Sequence, residues 1–177
     1  QIQSKEVLIC RMIADLLNPR GQHGAGAEYL KIFLKDCLGM EKMDTKLADQ
    51  AIVTAEYAID DERRIDIEIG SYFLPIEVKI YAADQKSQCF DYYQYAKRRD
   101  AQAKVYYLTL DGHRPGKDST SSGSQSVPEE DIVCLSFRVH ILNWLKACKN
   151  CGNTGMIPIL EQFIHNIEQI SGYTNEN

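Results

Sequence analysis

Asp66, Glu77 and Lys79 are the residues of this sequence that could carry out chemistry together. They fall in two stretches, residues 64–69 and 72–80, in which apolar and polar side chains alternate as they do in β-strands. Successive side chains of a strand point to opposite faces, so the alternation predicts all three on one face of a hairpin. Three ionisable groups on one face are costly unless they are solvated, paired or bound to a cation.

The predicted hairpin brings the two carboxylates within reach of one ion. A two-residue turn at residues 70–71 places Asp66 opposite Pro75, with Glu77 one diagonal step away on the same face. Diagonal neighbours lie about 7–8 Å apart at the backbone, so both carboxylates can reach one cation. Mg²⁺ prefers oxygen ligands, and Asp66, Glu77 and the main-chain carbonyl of Val78 would suit it.

A metal ion at this position would polarise a scissile phosphate and lower the pKa of a bound water. The Lys79 ammonium would orient that water or offset the developing negative charge. A plain alternative remains, in which the charged residues form the solvated face of a hairpin with ordinary ion pairs, while Ile65, Ile67 and Ile69 share the apolar face. Alternation alone fits both interpretations.

The rest of the chain predicts the scaffold for this hairpin. The predicted elements, in chain order, are helices at residues 4–17 and 30–38, strands at 51–59, 64–69 and 72–80, a helix at 84–99, strands at 104–110 and 132–137, and helices at 139–148 and 157–167. This order predicts one α/β domain over residues 1–177, with a mixed sheet flanked by helices. A stretch rich in Gly, Ser, Thr and Pro at about residues 112–130 has little to bury and predicts a flexible loop.

Composition limits the function classes. With 177 residues and 44% hydrophobic content the chain can bury one core, and its net charge of −5 excludes an overall positive field that would attract nucleic acid or anionic membranes. No apolar run approaches the roughly 20 residues of a membrane span, and the N-terminus lacks a secretory pattern, so we expect a cytoplasmic protein without membrane contact. The six cysteines predict mostly buried thiols rather than disulfides, and the pair Cys148 and Cys151 lacks the further ligands of a zinc site.

Asp66, followed after ten residues by Glu77-Val78-Lys79, resembles the D…(D/E)xK signature of the PD-(D/E)XK nuclease superfamily. The predicted order of helix, three strands, helix and strand matches the restriction-endonuclease-like αβββαβ core that this resemblance implies. The stretch Gln88-Cys-Phe-Asp-Tyr92 is similar to the QxxxY motif on the helix behind the active site of recombination exonucleases. The combined pattern IExKI…DQxxQxxxY resembles a bacterial branch of the superfamily.

The resemblance implies roles for individual residues. Asp66 and Glu77 are the implied metal ligands, Lys79 is the implied catalytic lysine, and Gln88 and Tyr92 are implied to support the site or to touch substrate. The implied cofactor is Mg²⁺, with Mn²⁺ as a substitute. The implied partner is nucleic acid, DNA in preference to RNA, and a homodimer is possible because cutters of double strands commonly pair two sites.

Superfamily members often add an acidic residue from the first core helix, and Glu28 is the candidate for this catalytic role. Any acid is favoured in the first turn of a helix, and Glu56 on the first strand is a rival. His23 could contact phosphate or hold its loop. Local basic residues could also bind phosphate, or they could form only a solubilising rim. They are Arg63, Arg64, Lys86, Lys97, Arg98 and Arg99.

Three function classes therefore fit the sequence. The first is a Mg²⁺-dependent nuclease that hydrolyses phosphodiester bonds in DNA. The second is a nuclease-fold module that no longer cuts and instead binds nucleic acid or a protein partner. The third is a structural α/β domain that binds no metal. The presence of all three signature residues, Asp66, Glu77 and Lys79, favours the first.

Overall fold

The computed structural model describes residues 2–172. In chain order, the elements are helices α1 (Ile2–Leu17), α2 (Glu28–Ile32) and α3 (Thr45–Asp49), strands β1 (Val53–Ala58), β2 (Arg64–Ile69) and β3 (Leu74–Lys79), helix α4 (Gln88–Lys97), strand β4 (Val105–Thr109), helix α5 (Lys117–Thr120), strands β5 (Ser121–Ser122), β6 (Gln125–Ser126) and β7 (Ile132–Ser136), and helices α6 (Leu142–Cys148) and α7 (Ile157–Ile170). A π-helical turn, Phe33–Cys37, extends α2, and another, Phe137–Ile141, leads into α6.

The main sheet has five strands in the order β1-β2-β3-β4-β7. Strand β2 is antiparallel to both β1 and β3, whereas β4 is parallel to both β3 and β7. The predicted αβββαβ core with a mixed sheet is confirmed, including the parallel crossover from β3 through α4 to β4. Crossovers of this kind need a helix between the strands, because parallel strands cannot be joined by a tight turn.

Helices cover both faces of the sheet, as side-chain alternation in β4 shows. Tyr106 and Leu108 pack with α1, α2, α6 and α7 on one face, and Val105 and Tyr107 pack with α4 on the other. Trp144 of α6 is fully buried in the first core, where its indole N–H donates to the Tyr29 carbonyl oxygen at 2.8 Å. Within residues 2–172, no helix is long and apolar enough to span a bilayer.

The turn between β2 and β3 is longer than the sequence predicts. Ile69 pairs with Leu74 and Glu68 with Pro75, so the turn spans residues 70–73 rather than 70–71. The predicted register, with Asp66 opposite Pro75, is wrong by two residues. A shift by an even number leaves the paired residues 67–69 and 74–76 on their predicted faces, because the side-chain period of a strand is two.

The helix that follows β3 begins later than predicted. It starts at Gln88 after Ser87, whose φ of 58° is left-handed, and not at Asp84. Asp84 instead ties two other segments together. Its carboxylate accepts from the Tyr107 hydroxyl at 2.5 Å and from the Gly116 N–H at 2.7 Å. These bonds hold the chain leading into α4 against β4 and the segment that follows it.

The segment at residues 112–130 is folded against α4. It contains α5 and the small β5-β6 hairpin, and Val127 is buried in the α4-side core. The Ser119 hydroxyl accepts from the Cys89 N–H at 3.2 Å, and the Ser87 hydroxyl donates to the Ser121 carbonyl at 2.7 Å. The expectation of a loop with little to bury is wrong, because short polar side chains bind the backbone at the start of α4.

The six cysteines are free thiols, three of them buried and three partly buried. Cys10, Cys89 and Cys148 are buried, and burial raises the thiol pKa of each above its usual range. The Cys151 thiol donates to the Cys148 carbonyl at 3.6 Å, which places this pair at a helix end.

Replacing Trp144 by alanine is expected to lower the free energy of unfolding by about 3–5 kcal/mol, because a fully buried indole leaves a large cavity and an unpaired carbonyl. Urea denaturation followed by far-UV circular dichroism measures the change. Asn143→Ala, on the exposed side of the same helix, is the matched control and should change stability little. Equal effects of the two substitutions would contradict the packing described for α6.

Candidate active site

The sheet changes its packing at Asp66. Ile67 packs in the core shared with α1, whereas Ile65, two residues earlier, lies in the α4-side core. The prediction that Ile65 and Ile67 share one face is therefore wrong, because regular alternation stops between them. Asp66 lies at this break, where it lines a cavity together with residues of α1 and of α4.

Strand β1 changes sides at the same level. Ala55 packs toward α1 and Tyr57 toward α4, and between them Glu56 has a left-handed φ of 55°. A non-glycine residue in this region costs about 1–3 kcal/mol and persists only where the surroundings enforce it. Such strain is concentrated at functional sites, so the strained residue Glu56 indicates a functional site at this end of β1.

Asp66 bridges the gap where β2 separates from β3. The paired register of these strands begins at Ile67 and Ile76, and one step further the Asp66 carboxylate accepts from the Val78 N–H at 2.8 Å. The Glu77 carboxyl lies beside this carboxylate, close enough for each to affect the pKa of the other. The side chain thus takes the place of a main-chain partner and meets the second predicted carboxylate directly.

Burial raises the pKa of both carboxyl groups. The pKa of Asp66 is raised to about 6 by burial, opposed by the hydrogen bond from Val78, by the interaction with Glu77 and by the Lys79 charge. The pKa of Glu77, which is 1% exposed, is raised well above its usual range by burial and then by Asp66, against the attraction of Lys79. Charging both carboxylates at once is costly unless a cation in addition to Lys79 binds beside them.

Lys79 completes this cluster. Its Nζ atom lies 3.1 Å from Glu77 Oε1, and its side chain is buried. Glu77 and Lys79 are two residues apart on β3 and therefore point the same way. A buried ammonium beside a carboxyl pair can orient a water molecule or offset negative charge.

Two oxygen atoms of the cluster have no hydrogen-bond partner among the described residues. They are Glu77 Oε2 and Gln88 Oε1, and both are buried. Buried acceptors without a partner are costly and mark places where water, an ion or a substrate binds. Carboxylate and carbonyl oxygens are the ligands of hard divalent ions, so Asp66, Glu77 and Val78 fit Mg²⁺.

These residues line a cavity of about 200 Å³. Its walls are formed by Glu6, Val7, Cys10, Glu56, Asp66, Glu77, Val78, Lys79, Ala82, Gln85 and Gln88. Within residues 2–172, no group of three or more His, Cys, Asp or Glu side chains is already arranged to hold a metal ion. A hard ion in this cavity would have to complete its coordination with water and substrate oxygens, as Mg²⁺ commonly does.

Helix α1 contributes a carboxylate that the sequence analysis missed. Glu6 is buried and accepts from the Ile80 N–H at 2.9 Å and the Ala82 N–H at 3.2 Å, which fixes the chain just after Lys79. A signal was available, because Glu6 stands four residues before Cys10 on the apolar stripe of the first helix. A charged residue at a core-facing position indicates a specific partner.

The structure does not bring Glu28 to this cavity. Its side chain is 57% exposed, lies 3.9 Å from the Lys31 ammonium and lines a different surface pocket. Glu28 begins α2, whereas the helix that packs beside the candidate site is α1. Its rival Glu56 does line the cavity, and its Oε2 accepts from Arg11 Nη2 at 2.8 Å.

Gln88 and Tyr92 connect α4 to the start of β2, next to the point where β2 separates from β3. The Gln88 amide nitrogen donates to the Tyr92 hydroxyl at 3.2 Å, and that hydroxyl donates to the Arg64 carbonyl at 2.6 Å. Tyr92 is buried, and burial raises the pKa of its hydroxyl above the usual range. Gln88 therefore lines the cavity, and Tyr92 holds it in place from behind.

Several basic residues near the site are engaged in structural contacts. Arg63 pairs with Asp91 at 2.9 Å and donates to Gln85 Oε1 at 3.1 Å. The Arg99 guanidinium lies 3.7 Å from the centre of the Tyr95 ring. These two side chains bind their own fold and do not form an open phosphate-binding patch.

His23 also has a structural contact on each ring nitrogen. Nε2 lies 2.7 Å from the Asn18 carbonyl, and Nδ1 accepts from the Ala25 N–H at 3.0 Å. The buried imidazole closes the loop between α1 and α2, which agrees with the loop interpretation of this residue.

The comparison with known proteins agrees with this geometry. A family model of the PD-(D/E)XK nuclease superfamily matches residues 1–165, which is nearly the whole chain. The chain belongs to the PD-(D/E)XK nuclease superfamily. No curated protein and no solved structure matches it.

Glu68 is a second buried carboxyl on β2 that does not line the cavity. It is 5% exposed, and its Oε2 has no partner among residues 2–172. Burial raises the pKa of Glu68 to about 7, opposed by the charge of Arg99. The folded state therefore binds a proton at Glu68 more tightly than the unfolded state does.

This difference predicts a pH-dependent stability. As the pH rises from about 4.5 to about 7, Glu68 loses its proton in the unfolded chain before the folded one, so the free energy of unfolding falls. Glu68→Gln removes this loss and should exceed wild type by on the order of 2 kcal/mol at pH 8, with little difference at pH 4. Urea denaturation at both pH values measures it. The exposed Glu62→Gln is the control, and a constant difference across pH would contradict the burial described.

Proposed function

We propose that this protein is a metal-dependent nuclease that hydrolyses phosphodiester bonds in DNA with Mg²⁺, or with Mn²⁺ in its place. One observation carries the proposal. A fully buried Glu77 carboxyl contacts both Asp66 and Lys79 and still has an oxygen without a partner among residues 2–172. That arrangement is costly for a passive scaffold and suits a site completed by a cation and a phosphate.

Asp66, Glu77 and the main-chain carbonyl of Val78 would hold the divalent ion. The ion, when bound, supplies a polarised phosphate and a water of lowered pKa. Lys79, fixed by its contact with Glu77, orients the attacking water and offsets negative charge that develops on the phosphate oxygens. The buried position of Lys79 strengthens this interaction, because fewer waters compete for the ammonium.

Residues from both faces of the sheet keep this cluster in place. Gln88 lines the cavity, and Tyr92 fixes the nitrogen end of its amide while the amide oxygen stays buried. Glu6 anchors the chain after Lys79 through Ile80 and Ala82. Catalytic groups held from two directions lose little entropy when substrate binds.

We further propose DNA as the substrate in preference to RNA, and a homodimer as the form that cuts both strands of a duplex. The support for both is membership of a nuclease superfamily. Assays with DNA and RNA of one sequence, and sedimentation of the protein with and without duplex, test these two points separately.

Wild-type protein with Mg²⁺ or Mn²⁺ is expected to nick plasmid DNA or to shorten single-stranded DNA. Asp66→Ala and Lys79→Ala should lower the rate by about 100-fold or more, because each removes a group that stabilises the transition state. Gel electrophoresis of labelled substrates over time measures the rates.

The matched control is Glu161→Gln, which removes an exposed carboxylate 3.8 Å from Lys149 and should cleave like wild type. Equal activity of wild type, Asp66→Ala and Lys79→Ala would end the nuclease proposal. Binding of DNA without cleavage and without dependence on Mg²⁺ would favour the inactive module instead.

Calorimetric titration with Mn²⁺ tests the metal site without relying on cleavage. Wild type is expected to bind Mn²⁺, and Glu77→Gln should bind it about tenfold or more weakly, because a charged oxygen ligand is removed. Glu68→Gln is the control, since Glu68 is a buried carboxyl on the neighbouring strand that does not line the cavity. Uptake of Mn²⁺ that is unchanged in Glu77→Gln would place the metal elsewhere.

A further inference from the structure

The candidate site is strongly acidic for a pocket that must receive a phosphate. Glu6, Glu56, Asp66 and Glu77 line it, and among its described lining residues Lys79 carries the only positive charge. The Lys79 ammonium is buried and lies 3.1 Å from Glu77 Oε1, so its charge already offsets that of the Glu77 carboxylate. Besides the divalent ion proposed above, a phosphodiester strand is commonly bound by Lys or Arg side chains around the site.

Arg11 is a cation in direct contact with a carboxylate that lines this cavity. It lies on α1, and its Nη2 and Nε atoms are 2.8 and 3.2 Å from Glu56 Oε2, an oxygen of a residue that lines the cavity. The Arg11 side chain is 62% exposed, and that of Glu56 is 37% exposed. An ion pair this open to water contributes little stability and can exchange partners readily.

The contact with Glu56 leaves most of the guanidinium available. Two donors of Arg11 converge on one carboxylate oxygen, although a guanidinium has five donors in a planar fork. The same fork matches two oxygens of a phosphate. Inside the pocket, the buried oxygens of Glu77 and Gln88 that lack a partner among residues 2–172 independently indicate that a ligand binds there.

We propose that Arg11 is a substrate-binding residue that exchanges the Glu56 carboxylate for a phosphate of the nucleic-acid strand. This inference rests on the proposed function, because it names the residue that binds the substrate of that same site. Glu56 holds Arg11 over the cavity in the free protein and competes with the phosphate for it. The two members of one ion pair then have opposite effects on substrate affinity, which a purely structural pair would not show.

Fluorescence anisotropy of a labelled single-stranded DNA, titrated at several KCl concentrations, tests this exchange. An Asp66→Asn background, or wild type in EDTA, prevents cleavage during the measurement. Arg11→Gln should weaken binding about tenfold, and the slope of log affinity against log salt should fall by about 0.7, because one phosphate is no longer neutralised by the protein. Glu56→Gln should tighten binding by about threefold, because the competing charge is removed.

Arg20→Gln, an exposed arginine outside the cavity lining, is the matched control and should bind like the background protein. Arg11→Lys keeps the charge but not the fork and should restore the salt slope more fully than the affinity. Thermal unfolding of each variant verifies its folding.

Equal weakening by Arg11→Gln and Glu56→Gln, or no effect of Arg11→Gln, would overturn the inference. If either of these results is found and the wild type still cleaves DNA, the nuclease function stands and only the role of Arg11 is refuted. If wild type never cleaves but the two substitutions shift binding in opposite directions, the role of Arg11 stands and the nuclease function is refuted.

Discussion

The hydrogen bond from the Val78 N–H to the Asp66 carboxylate is the interaction on which the candidate site depends. It forms where β2 and β3 part, and it supplies a main-chain donor with the partner that the neighbouring strand no longer offers. Because the carboxylate stands between the strands, it meets Glu77 from the adjacent strand. The break also sends Ile65 to the α4 side of the sheet, so one local departure from regular pairing shapes both cores.

The concentration of charged groups at this break does not favour the folding free energy by itself. Glu77 is buried between a second carboxylate and an ammonium, and one of its oxygens has no partner in the part of the chain described. Replacing such a cluster with apolar residues of similar volume is often neutral or stabilising in proteins. The strained backbone at Glu56 lies at the same edge of the sheet. Both features have a physical explanation if the cluster exists to bind a cation and an anionic substrate.

The sheet is held at this point from both faces. On one face, Glu6 of α1 binds the backbone after β3. On the other, the Tyr92 hydroxyl of α4 donates to the Arg64 carbonyl of β2 and accepts in turn from the Gln88 amide. The chain entering α4 is fixed in turn by Asp84, which joins Tyr107 to the segment beyond β4. Elements far apart in sequence thus limit the movement of the same few atoms.

The sequence by itself determined the order of the αβββαβ core, the mixed sheet and the cluster of Asp66, Glu77 and Lys79, because strand alternation and helical spacing are local properties. Only the tertiary structure decided the length of the β2-β3 turn and the choice of Glu6 over Glu28 beside the site. It also decided that residues 112–130 fold onto α4. These outcomes depend on which distant groups satisfy buried backbone donors and acceptors, and no local pattern records that pairing. The two-residue error in register did not separate the two carboxylates, since an even shift preserves the faces of the paired residues.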